Sequence, residues 1–111
     1  MSCDLFIEPP LFEVEPVDVH VVKKGLVLLP CRAASPGGED TRTRWIYQDK
    51  DVTGRGPRHL VLQDDSLLLM NIRPLEAGQY TCVASNQYGE SRATAQVLVS
   101  SEWVWLVSIC P

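Results

Sequence analysis

Four cysteines carry the reactive side-chain chemistry available to this chain of 111 residues: Cys3, Cys31, Cys82 and Cys110. A thiol can form a disulfide, bind a metal ion or attack a substrate, and the last two uses need clustered partner residues. No Cys-x-x-Cys pair occurs, and the two histidines, His20 and His59, stand alone. The sequence therefore predicts no metal site and no cofactor.

Other classes of function are disfavoured by composition. The chain has no Ser/His/Asp set, no credible pair of catalytic carboxylates and no phosphate-binding loop, so we predict that it is not an enzyme. Its net charge of −4 argues against a nucleic-acid partner, because phosphates need a basic surface. No run approaches the ~20 apolar residues of a membrane-spanning helix, so we expect no membrane insertion by this domain.

The elements that must position the cysteines are predicted to be β-strands. Short runs of alternating polarity are bounded by Gly, Pro, Asn and Asp, which is typical of an all-β sandwich. Val17, Val19 and Val21 are expected to alternate inward, as are Trp45 and Tyr47 on a strand over 43–48. We predict one domain over 11–100, an N-terminal linker over 1–10 and an apolar C-terminal tail over 101–111.

Several motifs resemble the I-set immunoglobulin domains of multi-domain receptors and adhesion proteins. They are Leu29-x-Cys31, Trp45, Leu67-x-Leu69 and Ala77-Gly78-x-Tyr80-x-Cys82. A weaker similarity, to neogenin-type guidance receptors, rests on residues 14–22 and 66–69. The resemblance implies an immunoglobulin-like β-sandwich of two antiparallel sheets with Greek-key connections.

The same resemblance implies roles for individual residues. Cys31 and Cys82 would form a disulfide between the sheets, whereas in a reducing compartment they would pack as two buried thiols. The core would contain Trp45, Tyr80, Leu29 and Leu69, with the Tyr80 hydroxyl bonded to backbone upstream. Cys3 and Cys110 would remain free thiols or pair between molecules.

Period-2 alternation then predicts a candidate binding face. With Trp45, Tyr80 and Cys82 pointing inward, the outward residues of the same sheet are Arg44, Ile46, Thr81 and Val83. Ile46 and Val83 would form an exposed apolar spot, framed by Arg44 and Gln96. On the other sheet, the outward Leu68 and Met70 are more apolar than a solvated face needs.

Two features of charge concern the surface. Glu76 stands where most such domains carry an Asp that pairs with an Arg at the start of the fourth strand, and Arg58 could still pair with the longer Glu76. Five basic residues could form a polyanion site: Arg42, Arg44, Lys50, Arg55 and Arg58. Acidic residues interleave with them, so a mixed solvated surface is the preferred interpretation.

Two functions are compatible with this fold. The preferred one is a non-catalytic recognition or adhesion module of a cell-surface or secreted immunoglobulin-superfamily protein. Its protein partner is unknown, and homophilic contact is an open alternative. The second function is an intracellular structural spacer like the I-set domains of giant muscle proteins, which implies a cytoplasmic location. The apolar tail could come from truncation, alternative splicing or a non-native addition.

Overall fold

The structure, a computed structural model, describes residues 7–54 and 56–100. The strands are β1 (Leu11–Val14), β2 (Val19–Val22), β3 (Val27–Leu29), β4 (Arg32–Ala34), β5 (Arg42–Tyr47), β6 (Lys50–Asp51), β7 (His59–Val61), β8 (Leu67–Leu69), β9 (Gly78–Asn86) and β10 (Gly89–Ser100), with a short 3₁₀ helix over Pro74–Glu76. The expectations for Cys3, Arg55, Cys110 and the tail lie outside the described residues.

The strands form two layers. One layer is a five-stranded sheet in the order β2-β10-β9-β5-β6, and the other contains β3-β8-β7 and the pair β1-β4. Pro30 separates β3 from β4, because proline has no N–H to donate to the ladder. The predicted all-β immunoglobulin-like sandwich is confirmed. One strand pair departs from the antiparallel pattern, since β2 runs parallel to β10.

The passage from β1 to β2 corrects one expectation. Val19 and Val21 pack against the core, but Val17 is 64% exposed, so its predicted inward orientation is wrong. Val17 follows the buried Pro16 in the segment that crosses between the layers, where strand alternation does not apply. Asp18 ends this crossing, and its carboxylate accepts the Gln96 N–H at 2.8 Å.

The turn between β9 and β10 holds residues that the sequence assigned to the N-terminal linker. The Asn86 side-chain amide donates to the Glu8 carbonyl at 2.8 Å, and its oxygen accepts the Tyr88 N–H. The Ser91 hydroxyl donates to the carbonyl of the buried Pro10. At Gly89, φ is +150° and an added Cβ would lie 3.2 Å from a Pro9 side-chain atom. A glycine therefore lets the linker lie against this turn.

Candidate recognition face and the core that supports it

The disulfide and Trp45 form the centre of the molecule. Cys31 and Cys82 are bonded across the two layers, with their Cα atoms 6.6 Å apart, so the predicted bridge is confirmed. Trp45 is paired with Cys82 in the β5–β9 register and has no exposed surface. Its indole N–H donates to the Asp65 carbonyl at 2.8 Å, which satisfies the one polar atom of the buried ring. Leu29 and Leu69 are buried in the same cluster.

Two tyrosines close one end of this core. The rings of Tyr47 and Tyr80 are stacked, with centroids 4.3 Å apart and planes inclined by 12°. The Tyr80 hydroxyl donates to the Glu76 carbonyl, four residues upstream, at 2.6 Å. Burial raises the pKa of Tyr80 well above its usual value, and the neighbouring Tyr47 and Glu76 raise it further. The hydroxyl therefore stays protonated and able to donate.

Replacement of Tyr80 by phenylalanine is expected to lower the free energy of unfolding by ~1–2 kcal/mol, because the Glu76 carbonyl loses its buried donor. Tyr47→Phe is the matched control. Its hydroxyl donates to Ala77 at 2.7 Å but is less buried, so water can replace it at smaller cost. Urea denaturation of both variants measures the difference. Equal stability of Tyr80→Phe and the parent would show that this hydrogen bond does not stabilise the fold.

Glu76 and Arg58 do not form the ion pair that the resemblance suggests. The Glu76 carboxylate instead accepts the Arg73 backbone N–H at 2.7 Å and lies 3.3 Å from the Arg73 guanidinium. The 3₁₀ helix brings residues three apart onto one side, which places Glu76 over Arg73. Arg58 donates to the Asn71 carbonyl instead.

The outer surface of β5, β9 and β10, here called the recognition face, consists of cross-strand rows. One row is Arg44–Val83–Arg92 and the next is Ile46–Thr81–Thr94. Val83 is fully buried, so the predicted exposed spot of Ile46 and Val83 is wrong. In this register Val83 lies between two arginines, and we attribute its burial to their aliphatic stems.

A carboxylate holds the two arginines over Val83. Glu90 lies 3.0 Å from the Arg44 guanidinium and 3.4 Å from that of Arg92. The hydrogen bond and charge of Arg44 lower the pKa of Glu90, with a smaller contribution from Arg92. All three side chains are substantially solvent-exposed, so the bridge adds little stability. Its main effect is to fix the position of the charges at this end of the face.

The middle of the recognition face is polar and partly concave. The Thr81 and Thr94 hydroxyls are 2.9 Å apart, and Ile46 beside them is half-buried. An open cavity of about 520 Å³ lies here, lined by Ile46, Gln48, Asp49, Gly78, Gln79, Thr81, Arg92 and Gln96. The structure thus brings Ile46, Thr81 and Gln96 together, with Arg44 one row away.

Sequence reasoning missed Glu90, Arg92 and Thr94 as members of this face. The signal was present in the hairpin, because the two-residue turn pairs Asn86 with Gly89 and so sets the whole β9–β10 register. Counting from that pair places Arg92 opposite Val83. Within residues 7–54 and 56–100, no cluster of His, Cys, Asp or Glu could hold a metal, and no helix is long and apolar enough to cross a membrane.

Comparison with known proteins identifies the family. Residues 10–99 match the immunoglobulin I-set domain. The chain belongs to the I-set family. Turtle homolog B of Rattus norvegicus is 34% identical over 93 residues, which cover 81% of this chain and 7% of that protein. Protein sidekick of Drosophila melanogaster is 30% identical over 90 residues, or 81% of this chain and 4% of that protein. This I-set chain therefore spans a small fraction of either relative.

A solved structure shares the fold of this I-set domain. The crystal structure of the titin M10–obscurin-like 1 Ig complex aligns with a TM-score of 0.74 and 30% identity. The alignment covers 84% of this chain and 95% of that one. The match therefore spans nearly the whole of that immunoglobulin chain.

Proposed function

We propose that this I-set domain is a non-catalytic recognition module of a cell-surface or secreted protein. In this proposal it binds a protein partner through the recognition face. The observation that carries the proposal is the open cavity on that face, which combines a half-buried Ile46 with hydrogen-bonding side chains such as Thr81 and Gln96. Apolar contact surrounded by polar groups is the usual composition of a protein-binding surface.

The scaffold under the cavity supports this role. β5 and β9 pair over six positions and β9 and β10 over nine, so the side chains of the face project from a continuous ladder. Cys82 anchors the disulfide on β9, and Trp45 is its register partner on β5; both are fully buried. A face held in this way needs little ordering on binding, which lowers the entropic cost of association.

Charge indicates what the partner surface should offer. Arg44, Glu90 and Arg92 place two positive groups and one negative group beside the cavity. A partner that presents a carboxylate next to polar groups would complement the unbalanced positive charge. Arg44 is already engaged by Glu90, which disfavours a polyanion site at this position.

The location we propose is extracellular, and the buried Cys31–Cys82 disulfide supports it, because such bonds persist in oxidising compartments. The alternative is an intracellular spacer that sets the distance between other domains. Similarity to a chain of the titin M10–obscurin-like 1 Ig complex is the observation that supports this alternative, and that related domain was solved with a protein partner.

The recognition function is tested by displaying the whole chain as a tetramer and measuring its binding to a panel of intact cells. We expect binding to at least one cell type, and a loss of about tenfold or more on Ile46→Lys, because the new charge must be buried at the contact. Leu11→Lys adds the same charge to an exposed leucine of the other layer and should bind normally. Binding that is insensitive to Ile46→Lys would contradict the assigned face.

A further inference from the structure

The outward side of the other layer is unusually apolar. β3, β8 and β7 are three residues long, and the outward residue at the centre of each is a leucine. Leu28 pairs with Leu68 and Leu60 pairs with Leu68, so the three form one row across the strands. We call this row, with Leu26 and Met70 beside it, the leucine face. Leu28 is 51% exposed and Leu26 is 68% exposed.

The outward residues of the recognition face are much more polar than those of the leucine face. On the recognition face, the outward row at Val83 is covered by two arginines and a glutamate. On β3, β7 and β8, none of the outward positions carries a charge or a hydrogen-bonding side chain. Isolated exposed leucines are ordinary, but an uninterrupted apolar row over three adjacent strands is typical of an interaction surface.

Two exposed side chains of opposite charge, Lys24 and Asp64, flank the leucine face, with Arg32 close to Asp64. Lys24 precedes Leu28 by four residues and Asp64 precedes Leu68 by four, and both side chains are exposed. Because β3 and β8 are antiparallel, these residues lie on opposite sides of the leucine row, each beyond one end of the strands. A two-fold axis along the row would reverse the strand direction of a second copy, so that Lys24 of each copy would meet Asp64 of the other.

We propose that the leucine face binds the leucine face of a second copy of this chain, in a two-fold symmetric, face-to-face pair. The leucine rows stack on each other at the ~10 Å spacing of packed sheets, and the end charges fix the relative direction. Five apolar side chains per copy form a small interface, in the size range of weak and transient complexes. The pair is therefore concentration-dependent.

The dimer leaves the recognition faces accessible, because they lie on the opposite layer of each copy. Two such faces then point away from each other, one on each side of the pair. A surface that carries two copies of the partner could engage both at once, and the second contact would be intramolecular. The inference thus adds a self-association surface to the proposed recognition function and does not depend on it.

Sedimentation velocity of the full chain over a range of concentrations tests the dimer. We expect a monomer–dimer equilibrium that Leu28→Lys weakens at least about tenfold in Kd. Leu98→Lys is the matched control, because Leu98 is 50% exposed but lies on β10 in the other sheet. It should leave Kd unchanged within about twofold. A chain that stays monomeric at every concentration, or one equally affected by both variants, overturns the proposal.

A charge exchange tests the two-fold arrangement. Lys24→Asp and Asp64→Lys should each weaken self-association, because each variant places like charges opposite each other. A mixture of the two variants should form a heterodimer in which both charge pairs are restored. Asp64 also accepts the Ser66 N–H at 3.0 Å, so melting curves must show that the variants remain folded. Failure of the folded variants to form the heterodimer overturns the arrangement.

The apolar tail is the competing explanation for any self-association. The double substitution Trp103→Ser and Trp105→Ser removes the two tryptophans of the tail and changes no residue of the leucine face. We expect the dimer to persist in this variant and to remain sensitive to Leu28→Lys. Loss of the dimer when the two tryptophans are replaced would assign the contact to the tail and overturn the proposal.

Discussion

Replacement of Trp45 by alanine is expected to lower the free energy of unfolding by ~3–5 kcal/mol. Trp45 has no exposed surface and lies opposite the disulfide in the β5–β9 register, so its loss leaves a cavity at the centre of the core. The Asp65 carbonyl also loses its hydrogen-bond donor. The melting temperature should fall by more than about 10 °C for a domain of this size.

Trp45→Phe is the control that separates packing from hydrogen bonding. It keeps an aromatic ring in the core but removes the indole N–H, so it should destabilise the domain by less than alanine does. Thermal unfolding followed by circular dichroism measures both variants. If Trp45→Ala melts within a degree or two of the parent, Trp45 is not part of the core.

Removal of the Cys31–Cys82 disulfide is expected to cost ~4 kcal/mol, because it frees a loop whose ends are 51 residues apart. Both sulfur atoms lie in the buried core, so the double alanine variant also loses packing. The variant should therefore unfold at a much lower urea concentration than the parent. Equilibrium urea denaturation of the two proteins measures the effect.

Cys3→Ser with Cys110→Ser is the matched control for the disulfide, since it also removes two cysteines but leaves the bridge intact. It should melt as the parent does. Thiol counting on denatured protein from its native source tests the location at the same time. Two free thiols fit the bridged, extracellular form, and four free thiols would contradict it.

Residue type and spacing were sufficient to predict the centre of this fold. The sequence, through its resemblance to I-set domains, predicts that Cys31, Trp45, Tyr80 and Cys82 lie in the core, and each is buried there. The reason is physical. Large aromatic residues and paired cysteines at fixed spacing have few other environments in a small sandwich, so local sequence largely determines their position.

The solvent exposure of individual side chains could not be predicted from the local sequence. Alternation gave the correct side of β9 for Val83, but its exposure depends on which residues stand beside it on β5 and β10. Arg44 and Arg92 are 39 residues before it and nine after it in the sequence, and only the strand register brings both alongside. The predicted pairing of Glu76 with Arg58 was wrong for a related reason. The strand pattern did not indicate the short 3₁₀ helix, and this helix places Arg73 closer to Glu76.

The leucine face was only partly visible in the sequence. Leu68 and Met70 stood out as too apolar for a solvated position, yet nothing local joined them to Leu28 and Leu60. Those two residues are 32 positions apart and meet only because β8 pairs with both of their strands. A cross-strand row is a property of the pairing and not of any one strand.

The parallel pairing of β2 with β10 has a mechanical consequence. Because the two strands run in the same direction, tension applied to the two ends of the chain pulls them past each other along their length. Four residue pairs from Val97–Val19 to Ser100–Val22 are then loaded together, as is the hydrogen bond from the Lys23 N–H to the Ser100 carbonyl. These bonds must break in shear, whereas an antiparallel hairpin such as β9–β10 can be peeled open one bond at a time.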